Sequence, residues 1–138
     1  MRRVSGVLPA TVAVWALVTA AGAAQAPGPS AVPAEARRLK AAVPASPQAI
    51  EAGKVLYGKY CRACHGEDAT GGRGNGKIRP SNLTDKRWDR GSREGEIFWV
   101  IQNGAPPAYH MRGFKGTLSD ENIWNVVHYV RSLGGVTR

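Results

Sequence analysis

Cysteine and histidine are scarce in this 138-residue chain, which has two cysteines and three histidines, His65, His110 and His128. A structural zinc site needs four ligands, and no second closely spaced ligand pair accompanies Cys61 and Cys64, so the count excludes one. A disulfide between these two would close a loop too short to stabilise much. No apolar strand precedes Cys61, which removes the framework of a thioredoxin-like redox pair. No cysteine lies near the start, which excludes a lipoprotein. Gly71-Gly72-Arg73-Gly74-Asn75-Gly76-Lys77 has the spacing of a phosphate-binding loop, but Ile78 stands where Ser or Thr is required and no strand leads into it. Methionine is limited to Met1 and Met111. Acidic side chains are few as well, ten against nineteen Lys and Arg, yet no nucleic-acid-binding motif accompanies the excess of positive charge.

What is present is Cys61-Arg62-Ala63-Cys64-His65. Thiols three residues apart lie just under one helical turn from each other, so both reach one porphyrin edge and can form thioethers with its vinyl groups. The imidazole that follows at once then sits beneath the iron. Neither a redox pair nor a disulfide gives His65 a role. The motif therefore predicts one covalently bound haem c, with Cys61 and Cys64 as attachment points and His65 as a metal ligand.

The chain opens as an export signal. Arg2 and Arg3 precede an apolar or small-residue run from Val7 to Ala24, and alanines at 21, 23, 24 and 26 offer cleavage positions, with Ala23 the best fit. Residues 1–26 are thus a signal peptide that directs the protein to the bacterial periplasm, and no stable membrane insertion is expected once it is cleaved. The competing reading is an uncleaved anchor, weakened by Pro9, Thr11 and Gly22. Residues 27–45 are rich in Pro and Ala without an aromatic, and read as a linker or tail that buries little. Residues 46–138 form the folded domain. It is small enough for an apolar core to be marginal, and a covalently held haem would supply the missing apolar surface.

Within the domain, Ser46-Pro47 marks a helix start, followed by Ile50, Lys54 and Tyr57 at helical spacing, with Gly53 as a costly interior glycine. Ser92 caps a middle helix to Gln102 carrying Ile97, Val100 and Ile101 on one face, and Asn103-Gly104 stops it. Ser119 caps a last helix to Leu133 with an apolar face of Ile123, Val126, Val127, Val130 and Leu133. His128 falls on the opposite, solvated face of that helix.

Around Cys61–His65 the chain resembles the small class I cytochromes c, over residues 46–138. The resemblance implies an all-α fold, the cytochrome c fold, in which a few helices surround one haem and the first helix crosses the last. In that family the crossing falls at a glycine with an aromatic one turn later, matched here by Gly53 and Tyr57, which would face Val126 and Tyr129. Pro80 would be the proline whose carbonyl fixes the second nitrogen of the ligating histidine. Leu83 would pack on the porphyrin face. Trp88 is placed either at a haem propionate or within ordinary packing.

Met111 is the candidate sixth ligand. With Met1 lost alongside the signal it is the only thioether in the chain, and it occupies a Pro-rich loop where the family carries its ligand, with Phe114 three residues on. Arg112 departs from the proline that commonly follows the ligand, so His110 remains a rival, and a bis-histidine haem would have a lower potential. An iron with both axial positions filled by protein exchanges electrons and binds no small substrate. The resemblance accordingly implies a periplasmic one-electron carrier, or the cytochrome subunit of a dehydrogenase or oxidase, and not an enzyme itself. A haem enzyme with an exchangeable distal site, a peroxidase or an oxidiser of sulfur compounds, is the alternative. Lys59, Arg62, Lys77, Arg79, Arg112 and Lys115 would border the haem crevice, which predicts redox protein partners with acidic docking surfaces.

Overall fold

A computed structural model of the chain describes residues 31–72 and 78–134. The export signal, residues 27–30 and the 73–77 stretch that includes Lys77 lie outside the described residues. Among the described residues there are four α-helices, α1 (Pro47–Tyr60), α2 (Arg62–His65), α3 (Glu94–Asn103) and α4 (Asp120–Ser132), preceded by a 3-10 turn at Ala34–Arg38. Pairing of extended backbone is limited there to isolated bridges, Gly104 with Arg112 and Lys115 with Leu118.

α1 starts where Ser46 accepts a hydrogen bond from the Ala49 N–H at 3.1 Å, with Pro47 in its first turn. The helix crosses α4 at Gly53, where a Cβ would run into the backbone carbonyl of Asn125. One turn on, the rings of Tyr57 and Tyr129 meet at 5.3 Å. This close crossing fixes the direction in which α1 delivers its last residue, Tyr60, to the cysteine motif. α4 is capped by Ser119, which accepts from Asn122 N–H at 3.2 Å. It buries Ile123, Val126, Val127 and Val130, and Trp124 stacks on Phe98 of α3 at 4.3 Å.

α3 begins later than the serine suggests. Its first residue is Glu94, and Glu96 reaches back to accept the Arg93 N–H at 3.0 Å, which satisfies an orphan donor of the first turn. Ser92 is not the cap, and its carbonyl instead accepts from Arg131 Nη1 at 3.0 Å. The helix ends at Asn103, with Gly104 beyond it at a φ of 96°.

The Pro- and Ala-rich stretch also behaves differently from its composition. Residues 34–43 lie along the outside of α3 and α4 as a strap. Ala36 is fully buried, and Gly95 is what admits the strap, since a Cβ there would collide with the Ala36 carbonyl. Arg37 Nε donates to the buried Glu96 carboxylate at 2.8 Å. His128, expected in solvent, is only 4% exposed. Its Nε2 donates to the Val43 carbonyl at 3.0 Å and its ring lies beside Trp124. Nδ1 is buried and has no partner among the described residues. The strap is the reason: it covers the face of α4 that a two-helix packing would leave wet.

Candidate haem site

The five motif residues sit where α1 hands over to α2. The Cys61 N–H closes the last turn of α1 on the Tyr57 carbonyl at 2.8 Å, and the Cys61 carbonyl then accepts from both Cys64 and His65 N–H, at 3.1 and 3.0 Å. Cys61, Cys64 and His65 therefore share one helical turn, as thioether attachment beside an axial imidazole requires. Both thiols are free. Burial, followed by the neighbouring Cys64, pushes the Cys61 thiol up to about 11, so it is not a thiolate poised to attack. Among the described residues no group of three or more His, Cys, Asp and Glu could hold a metal ion by itself.

His65 has the form that an axial ligand would need. Its Nδ1 lies 3.1 Å from the Ser81 carbonyl. A carbonyl can only accept, so Nδ1 carries the proton and the lone pair is left on Nε2. Burial also holds the imidazole below its ordinary pKa, and this outweighs the opposing pull of the Ser81 bond. The neutral form is the one that binds iron. The partner carbonyl belongs to Ser81 and not to Pro80, a correction of one residue. Any residue can offer a backbone acceptor, so the side chains in Ile78–Leu83 carry no mark of which carbonyl will be used.

The segment that brings Ser81 there is tied back to the motif. Tyr57 Oη donates to the Gly66 carbonyl at 2.8 Å, Gly71 N–H to the His65 carbonyl at 2.9 Å, and Leu83 N–H to the Ala69 carbonyl at 2.8 Å. Leu83, Trp88, Cys61 and Met111 are all partly buried at the margin of the hydrophobic core, which is where the apolar body of a haem would complete it. Trp88 donates its indole N–H to the Asp85 carbonyl at 3.0 Å, the packing alternative of the two readings.

The 104–114 loop arrives from the end of α3. Phe114 meets Tyr60, the residue before Cys61, edge-on at 6.0 Å, so the loop ends beside the start of the motif. Within it Met111 is half-buried against the core, whereas His110 is exposed. Two partners were not legible beforehand, Ser81 and Arg90. Arg90 Nε donates to the Pro106 carbonyl of this loop at 2.7 Å. A hint existed for the latter, because a Pro-Pro pair lacks backbone donors and leaves its loop dependent on outside ones. The donor set fits a haem: two free thiols, a neutral imidazole with one nitrogen engaged, and a half-buried thioether.

A helical fold around a Cys-X-X-Cys-His turn defines a c-type cytochrome. The family described as cytochrome c oxidase, cbb3-type, subunit III matches residues 48–130, and the chain belongs to it. It is accordingly a class I monohaem c-type cytochrome with an all-α fold and a covalently bound haem c. The quinohemoprotein alcohol dehydrogenase ADH IIB of Pseudomonas putida is 31% identical over 111 residues, which are 80% of this chain and 15% of that protein. The cbb3-type cytochrome c oxidase subunit FixP of Bradyrhizobium sp. strain ORS 278 is 39% identical over 84 residues, 61% of this chain and 27% of that subunit. Cytochrome cL of Methylophaga aminisulfidivorans superposes with a TM-score of 0.53 at 28% identity, over 62% of this chain and 55% of that one. The chain thus spans less than a third of the length of these two curated relatives.

Proposed function

We propose that this protein transfers single electrons in the periplasm through a haem ligated by His65 and Met111, either as a free carrier or as the cytochrome subunit of a dehydrogenase or oxidase. A haem held here supplies a one-electron Fe(II)/Fe(III) couple. Cys61 and Cys64 anchor it at one edge, and His65 offers Nε2 while Ser81 keeps Nδ1 protonated and the ring oriented. Leu83 and Met111 exclude water from its faces, which disfavours the additional ferric charge, and a thioether ligand favours the ferrous state. Both effects raise the potential.

The observation that carries the ligand assignment is the contrast in burial within one loop, Met111 against the core and the neighbouring His110 in solvent. The oxidase subunit and the alcohol dehydrogenase among its relatives support a place beside such enzymes, as the segment that accepts or relays their electrons. Periplasmic location is supported by the basic and apolar start and by the thioether chemistry, which is normally completed after export. No described helix is long and apolar enough to cross a membrane.

The test separates a carrier from a haem enzyme. The reduced parent protein should bind carbon monoxide only very slowly, Met111→Leu should bind it fast and have a lower potential, and His110→Ala should match the parent. If His110→Ala opens the site and Met111→Leu does not, the ligation is bis-histidine. A parent protein that binds carbon monoxide readily belongs with the haem enzymes.

A further inference from the structure

We propose that Arg90 is the positioning residue of the distal loop: by holding the Pro106 carbonyl it keeps Met111 at the haem. This rests on the assignment of Met111 as sixth ligand.

The base of the loop is held by α3. Gly104 bridges to Arg112, Ala105 N–H donates to the Met111 carbonyl at 2.9 Å, and beyond the loop Phe114 and Lys115 donate to the Ile101 and Gln102 carbonyls at 2.9 and 3.0 Å. Among the described residues, the other side of the loop has no such support of its own. Pro106 and Pro107 have no N–H to offer, and the bond that crosses this side, Tyr109 N–H to the Ala105 carbonyl at 2.9 Å, stays inside the loop. Pro106 is among the fully buried side chains, so its carbonyl lies in a region where an unpaired acceptor is costly. Arg90 Nε fills that need at 2.7 Å, the short separation of a charge-assisted bond. Among the described residues it is the side chain from outside that is hydrogen-bonded to a loop carbonyl.

Arg90 is itself presented from a fixed segment. The Arg93 N–H is taken by Glu96, the Ser92 carbonyl by Arg131 of α4, and the Glu96 carboxylate lies where a Cβ of Gly91 would stand. Three successive residues after Arg90 are thus engaged by α3 or α4. The guanidinium ties this rigid corner to the one stretch of the loop that cannot hold itself. Four residues separate Pro106 from Met111, whose carbonyl stays tied to the Ala105 N–H, so release at Pro106 loosens the stretch that leads into Met111, and with it the set of its side chain, while the base of the loop stays attached.

The experiment compares haem-loaded Arg90→Leu, Arg90→Lys and Met111→Leu proteins with the parent. It measures the carbon monoxide association rate of the reduced form and the long-wavelength absorption band of a methionine-ligated ferric haem, with the thermal midpoint in parallel. Arg90→Leu should bind carbon monoxide at least tenfold faster than the parent and lose part of the band. Arg90→Lys, which keeps a charged donor, should recover most of both. If Arg90→Leu lowers only the thermal midpoint, or only the potential through its lost charge, with rate and band unchanged, the proposal is overturned. Should Arg90→Leu fail to retain haem, Arg90→Gln takes its place, and a rate equal to the parent's overturns the proposal equally. Met111→Leu keeps the two claims apart. If it fails to open the site, the ligand assignment falls; if it opens the site and the Arg90 variants do not, only the positioning role falls.

Discussion

Gly53 sets two effects of opposite sign against each other. Alanine in its place would gain about 1 kcal/mol of helix propensity, but its Cβ would run into the Asn125 carbonyl and crowd Tyr129 Cβ. Overpacking costs roughly 1–3 kcal/mol, and here the obstacle is backbone, which cannot rotate aside. The clash wins, so Gly53→Ala should lower the thermal midpoint by on the order of 5–10 °C and leave the haem attached. A midpoint that rises would mean that the helices part without cost. This residue was legible in the sequence because an interior glycine in a helix needs a reason. Cys61, Cys64 and His65 were legible because their chemistry lies in side chains at a fixed spacing. Ser81 was not, since it acts through its carbonyl, and neither was the burial of His128, whose cover comes from a distant stretch.

That stretch shows what composition misses at the scale of an element. Residues 34–43 lack aromatics and large apolar runs, and a rule based on apolar bulk reads them as a tail. Their attachment uses other means: a fully buried alanine, close backbone approach at Gly95, the Arg37–Glu96 pair and the Val43–His128 bond. The ion pair alone would hold little, because the Arg37 side chain is 60% exposed. Glu96 is the buried member, and it also caps α3, so the strap and the start of α3 share one carboxylate. Gly95→Ala should therefore lever the strap off by collision with the Ala36 carbonyl. The expected result is faster amide exchange at Ala36 and Leu39, easier proteolysis in residues 31–45 and a midpoint lower by several degrees. The haem spectrum should be unchanged, since the contacts that hold Ser81 and Met111 lie elsewhere. If exchange at Ala36 stays as slow as in the parent, α3 rather than the strap yields to the added methyl. The starts of α1 and α4 were read correctly from their serine caps. α3 was not, because Glu96 competes with Ser92 for the role.

Over the whole molecule, the excess of positive charge predicts that electrostatics steers its encounters. The chain has nineteen Lys and Arg against ten Asp and Glu. Lys59, Arg62, Arg79, Arg112 and Lys115 are all exposed, on the segments that carry the cysteine motif, the Ser81 stretch and the distal loop. Arg62 has an acidic neighbour, Glu67 at 3.6 Å, but both side chains are largely in solvent and the pair neutralises little. A cationic surface around the site steers anions toward it and adds less to the strength of the final complex. Small inorganic oxidants of opposite charge test this without a protein partner. Oxidation by hexacyanoferrate(III) should slow by roughly tenfold as salt rises, because the Debye length falls from about 30 Å at 0.01 M to about 3 Å at 1 M. A cationic cobalt(III) complex should become faster over the same range, as its repulsion is screened. Charge-reversing Arg79 and Arg112 to Glu should flatten both dependences if the field is local to the site, whereas reversing Arg38 and Lys40 on the strap should alter them less. Equal effects from the two pairs would mean that only net charge is felt, and an acidic partner would then have no reason to approach by the haem side.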